Sequence, residues 1–197
     1  MSIHRTLYQA VAALSQAMEI RDPYTNGHQR RVSALSRLIA QTMDLPRDRV
    51  EAVRLGAILH DVGKIGVPAE ILVKPTSLRR EEMDIIRRHA MLGSDILSHV
   101  AFDPPIGNIV IQHHERLDGT GYPNGLLGDQ IMLEARIVAV ADTVEAMSSH
   151  RPYRPALGLE RALAEIVAQR GTKYDPDAVD ACVELSRSDA LDMVLAA

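Results

Sequence analysis

Five of the eight histidines in this 197-residue chain stand where apolar side chains belong. His28 opens a helical stripe with Val32, Leu35 and Ile39. His60 closes one made by Val50, Val53 and Ala57. His89 lies among Glu82, Ile86, Gly93 and Ile96, and His113 follows Ile106, Ile109 and Val110, with His114 on the edge of the same face. A lone histidine on such a face is most often a core residue with one hydrogen bond. Five on four separate segments are different, because each buried imidazole costs desolvation unless something binds it. A shared metal cluster is the economical explanation.

Two carboxylates extend the pattern. Asp61 follows His60 directly, and Asp142 lies within the apolar "IVAVADTVEAM". A buried aspartate without a partner would be protonated or destabilising; as a metal ligand it is satisfied. Adjacent helical residues point about 100° apart. The pairs His60-Asp61 and His113-His114 can therefore serve two neighbouring ions more readily than one. Hydrolytic two-metal sites hold their ions about 3.5–4 Å apart. Mixed imidazole and carboxylate donors suit iron, manganese or zinc better than calcium or magnesium. His4 is terminal, His99 reads as a surface residue near a helix end, and His150 adjoins a candidate ligand-binding stretch.

Four cations lie close in sequence to these residues: Lys64, Arg136, Arg151 and Arg154. Each alone reads as a solvated charge; together they suffice for a phosphodiester. The glycines at 119, 121, 125 and 128 let the chain approach a ligand or partner closely. Tyr122 could stack on a base or pack under its own loop.

The elements that would position these groups are helical almost throughout. Leu7, Val11, Leu14 and Met18 define a leading helix, broken at Asp22-Pro23. Further helices follow around residues 28–39 and 50–60. Another runs to Ile96 after an N-cap at Thr76 or Ser77, and others cover 106–113 and 133–147. The last two are Leu159–Gln169 and Pro176–Arg187, the latter capped by Asp175. The expectation is an all-α bundle in one domain over 1–197. Its leading helix covers about 3–21, its metal-binding core about 25–155 and its C-terminal helices about 158–195. A long irregular loop over roughly 118–131 reads as functional rather than as a boundary. Only 3% of residues are aromatic, so the core must be aliphatic. The single cysteine, Cys182, excludes an internal disulfide and fits a reducing, cytoplasmic setting. No apolar run reaches the ~20 residues of a membrane span. A net charge of −4 argues against general nucleic-acid binding. The start close to a helix would suit fusion to a sensor domain.

The ordered motifs "RDPYTNGH" (21–28), "HDVGK" (60–64), "RRHAMLGSDIL" (87–97), "HHERLDGTGYP" (113–123), "ARIVAVADTVEAM" (135–147) and "RPYR" (151–154) resemble the HD-GYP family, over nearly the whole chain. That resemblance implies an HD-domain helical bundle with a long GYP loop, acting as a bacterial cyclic di-GMP phosphodiesterase. The implied ligands are His28, His60, Asp61, His89, His113, His114 and Asp142, with Asp61 bridging two divalent transition metals, iron first and manganese or zinc next. It further implies Lys64 on the scissile phosphate and Arg151 with Arg154 on the other. Arg136 and Tyr122 complete the expected substrate contacts. Partners implied are cyclic di-GMP or a related cyclic dinucleotide such as cyclic GMP-AMP, and a GGDEF-domain protein at the GYP loop. Two positions depart from the family pattern. Tyr24 replaces a glutamate that helps hold a third metal, which predicts two ions and linear pGpG as the first product, and tells against full onward conversion to GMP. Ala90 replaces a proline and is expected to be nearly silent. Two other readings stay open: a non-hydrolysing sensor or GGDEF-docking adaptor, and another HD-type nucleotide phosphohydrolase.

Overall fold

The computed structural model describes residues 3–21, 27–102, 106–149, 156–188 and 190–195. Eleven α-helices are found among them: α1 Ile3–Arg21, α2 His28–Thr42, α3 Arg47–Leu59, α4 Ala69–Leu72, α5 Arg80–Arg87, α6 His89–Leu97, α7 Ile106–Gln112, α8 Leu133–Ser148, α9 Leu159–Ala168, α10 Pro176–Leu185 and α11 Ala190–Leu195. Short 3-10 turns cover Val62–Gly66 and Gly128–Gln130. No strand is formed among the described residues, only isolated bridges from Asp118 to Leu127 and from Arg170 to Tyr174. The all-α expectation holds.

The bundle is organised around α8. Its Ile137, Val138, Val140, Ala141 and Val144 are all fully buried, so it needs apolar neighbours on most sides. It finds them in α2, α3, α7, α9 and α10. The facing positions are Val32, Leu35 and Ile39 of α2, Val53 and Ala57 of α3, and Ile109 and Val110 of α7. This core is aliphatic, as the composition requires. Asp175 caps α10 by accepting from the amides of Asp177 (3.0 Å) and Ala178 (3.1 Å), ahead of Pro176.

Several expectations are corrected. The helix expected to run unbroken to Ile96 is two, α5 and α6, joined at Arg88. Its N-cap is Arg79, not Thr76 or Ser77, and Glu82 turns back onto the Arg79 amide at 2.8 Å. The amide it holds and an ion pair with Lys74 at 2.7 Å keep Glu82 out of the core. Leu14 and Ile96, expected on buried stripes, are exposed. The side chains of His4 and Leu7 and all of Tyr24, His150, Arg151 and Arg154 lie outside the described residues. No described helix is long and apolar enough to cross a membrane.

Candidate metal centre

Three of the five clustered histidines sit past the end of a helix rather than along its face. His60 is the C-cap of α3, His113 follows the last residue of α7, and His89 lies two residues beyond α5. The last carbonyls of a helix lack amide partners. Here they accept imidazole protons three residues on: His60 Nδ1 to Ala57 O (2.6 Å), His89 Nδ1 to Ile86 O (2.7 Å) and His113 Nδ1 to Val110 O (2.6 Å). Each bond places the proton on Nδ1 and leaves the Nε2 lone pair facing inward.

Asp61 stands at the centre of these Nε2 atoms. Its Oδ2 lies 3.4 Å from His60 Nε2 and 3.9 Å from His28 Nε2. Its Oδ1 lies 3.4 Å from His89 Nε2. Asp142 Oδ1 is 3.3 Å from His28 Nε2 and 3.9 Å from His60 Nε2. His89 and His113 bring their Nε2 atoms within 3.4 Å of each other. Donor atoms within 4.8 Å of one another therefore form three overlapping groups: His28, His60 and Asp142; His60, Asp61 and His113; and His89, His113 and His114. The seven residues singled out in the sequence converge. They do so from four helix ends and the middle of α8.

Close approach of the backbone makes this convergence feasible. A Cβ on Gly63 would lie 1.9 Å from the His89 carbonyl oxygen. Only glycine lets the turn after His60-Asp61 press against α6.

The electrostatics divide along the same line. Burial would lower the pKa of His28, but Asp142 and Glu145 override it and lift it to about 9. Burial and neighbouring imidazoles hold His113 and His114 well below the usual histidine range, and burial lowers His89. Burial opposes ionisation of Asp61, yet Lys64 and His60 keep its pKa well below the normal carboxylate value. Asp142 is likewise held low against its burial, chiefly by His28.

Lys64, expected on a substrate phosphate, places Nζ 2.6 Å from Asp61 Oδ2. Tyr122 lies at the cluster: its ring is 4.7 Å from that of His114, and the Arg87 guanidinium stands over it, 5.3 Å from its centre. Arg136 is not brought there. It sits about 9 Å further back along α8, and its guanidinium pairs with Asp175 at 2.8 Å. His99 is exposed near the end of α6, as expected.

The loop after the histidine pair is irregular but pinned. Buried Glu115 accepts from the amides of Asn124 (2.7 Å) and Leu126 (3.0 Å), and Gln112 accepts from Met132 (2.8 Å). A Cβ on Gly121 would lie 2.4 Å from the Arg116 nitrogen, so the loop folds against its own start.

The sequence reading missed Glu145. Its carboxylate is fully buried, meets His28 Nδ1 through Oε2, and receives Arg31 Nε (2.8 Å) and Ser149 Oγ (2.8 Å) on Oε1. These contacts hold its pKa near 2 despite burial. The signal was the one that exposed Asp142: an acid in an apolar helix, here three residues further on.

The donor set fits a transition metal. It offers imidazole nitrogens, four of the five rings having Nδ1 tied off, together with ionised carboxylates.

An HD domain family model matches residues 12–178. The chain is 42% identical over 175 residues to the cyclic di-GMP phosphodiesterase response regulator RpfG of Xanthomonas campestris pv. campestris (strain 8004), covering 88% of this chain and 46% of that protein. It is 40% identical over 185 residues to a cyclic di-GMP phosphodiesterase of Thermotoga maritima, covering 92% of this chain and 50% of that protein. The chain thus spans about half the length of these curated relatives. The crystal structure of a cyclic GMP-AMP-specific phosphodiesterase of Vibrio cholerae superposes with a TM-score of 0.73 at 17% identity. The match covers 95% of this chain and 50% of that one and shows a shared fold.

Proposed function

The chain belongs to the HD domain family, and from that premise we propose that it is a metal-dependent phosphodiesterase that opens cyclic di-GMP to linear pGpG. The carrying observation is Asp61: one oxygen faces His28 and His60 while the other faces His89. A carboxylate placed so can bridge two ions. His28, His60 and Asp142 would hold one, and His89, His113 and His114 the other. Iron suits this donor set best, with manganese or zinc next. Bound there, the metal would supply Lewis acidity at the phosphate and lower the pKa of a water towards ~7.

The chain's own residues do the rest. One water adds across a 3′ oxygen–phosphorus bond, leaving a 5′ phosphate and a 3′ hydroxyl. Lys64 stands beside Asp61 and can turn its ammonium to the charge growing on the phosphate oxygens. Tyr122, at the rim of the cluster beside His114, is assigned a base. Arg151 and Arg154 are assigned the second phosphate, which positions the first. The loop over 118–131 is assigned a GGDEF-domain partner, and residues 1–197 are taken as one catalytic domain working in the cytoplasm.

The test is turnover. Protein purified anaerobically and supplied with ferrous iron or manganese should convert cyclic di-GMP to pGpG, resolved by ion-pair chromatography. Tight binding without turnover under those conditions would establish a sensor or adaptor instead. Preferential cleavage of deoxynucleoside triphosphates would establish another HD-type hydrolase.

A further inference from the structure

We propose that Glu145 is a positioning residue that fixes the His28 imidazole and makes the His28 side of the cluster the tighter of the two metal positions. The inference rests on the two-ion reading above and adds a residue to it. His28 differs from the other cluster histidines with a bonded Nδ1. Ala57, Ile86 and Val110 carbonyls hold His60, His89 and His113, each from its own local turn. His28 is the first residue of α2. Its Nδ1 is met instead by a carboxylate from α8, 117 residues away in sequence.

That carboxylate is itself immobilised. Arg31, one turn along α2 from His28, reaches Glu145 Oε1 with Nη2 at 2.7 Å and Nε at 2.8 Å. Ser149, one turn along α8, adds a bond at 2.8 Å. Oε1 is thereby committed to Arg31 and Ser149, and Oε2 to His28. The two oxygens have separate duties that one side chain must meet together. A carboxylate behind a ligating imidazole fixes the ring's orientation and raises its basicity. The His28 side also groups with Asp142, whereas the donor group of His89, His113 and His114 contains no carboxylate, Asp61 reaching it at His89. More anionic charge and a rigidly aimed ring both favour tighter metal binding there.

Glu145→Gln separates orientation from bulk. Its amide keeps the shape but has one oxygen, so it can accept from Arg31 and Ser149 or from His28, not both. The experiment titrates metal-free protein with zinc against a chromophoric chelator and reads two dissociation constants. It also records long-range proton–nitrogen NMR spectra of the zinc-loaded protein to identify the coordinating nitrogen of His28. Wild type should show two unequal constants and His28 bound through Nε2. E145Q should weaken one ion about 10-fold and Glu145→Ala up to about 100-fold, with the other ion unmoved. The His28 nitrogen signals should lose their single bound form in both variants. Unchanged constants in E145Q overturn the proposal, as does equal weakening of both ions, and E145Q decides alone if E145A does not fold. No substrate enters the assay, so absent phosphodiesterase activity would touch only the functional reading. Uptake of a single ion by wild type would sink the two-ion premise itself.

Discussion

On one side of Asp61, His28 and His60 face Asp142, with Glu145, Arg31 and Ser149 packed behind His28. On the other, His89, His113 and His114 face one another, and Tyr122 lies against His114. Both sides present imidazole Nε2 atoms to a central space, yet they are braced differently. The first adds a long-range carboxylate behind His28 to the helix-end carbonyl behind His60, whereas the second relies on helix-end carbonyls at His89 and His113. Local bracing comes with the chain's own hydrogen-bond accounting at helix termini. Long-range bracing exists only once α2 and α8 have packed.

The harshest way to break this comparison is to remove what the two sides share. Asp61→Ala should reduce cyclic di-GMP turnover to background and deplete both ions, measured by product chromatography and metal analysis. A variant that keeps full activity would remove Asp61 from the bridging role. Lys64→Met should be milder in kind. Turnover should fall about 10²–10³-fold in kcat, the usual loss for one charge-stabilising donor, while both ions stay bound. Loss of metal in that variant would mean that Lys64 acts through Asp61 and not on substrate.

The pH dependence of metal-free protein separates the sides without mutation. His113, His114 and His89 have folded pKa values below their unfolded value of 6.5. Between those lowered values and 6.5 the unfolded chain binds more protons, so stability falls as pH drops below 6.5. His28 has its folded pKa raised to about 9. Its contribution is fully present below 6.5 and is lost as pH rises through about 9. Melting temperatures of chelated protein should therefore peak near pH 6.5 and fall on both sides. In His28→Gln the alkaline fall should shrink while the acid fall remains.

The smallest effect is expected outside the cluster. Arg136→Ala should leave KM for cyclic di-GMP unchanged and lower stability by about 1–2 kcal/mol, through loss of its bond to Asp175. A raised KM with unchanged stability would restore the substrate contact expected from sequence.

What was legible follows from periodicity and chemistry. Helical stripes located α2, α3, α7, α8, α9 and α10, and histidines interrupting those stripes named the cluster. The stripes could not show that His60 and His113 lie just past their helices, because a C-terminal turn keeps the same period. They merged α5 with α6 for the same reason, since the break at Arg88 carries no glycine or proline. Asp142 was found and Glu145 was not, although both are acids in one apolar helix. Which of them faces the shared space and which stands behind His28 is set by the packing of α2 on α8. Arg136 stands away from the cluster, on Asp175, because nearness in sequence to Asp142 is not nearness in space along a rigid helix.

The central claim is that Asp61 lies between two ions. Anomalous diffraction from crystals of anaerobically reconstituted protein tests it most directly. The account predicts two peaks about 3.5–4 Å apart, one reached by each Asp61 oxygen, with His28 on the first and His114 on the second. A single peak, or two peaks with Asp61 touching only one, would contradict it.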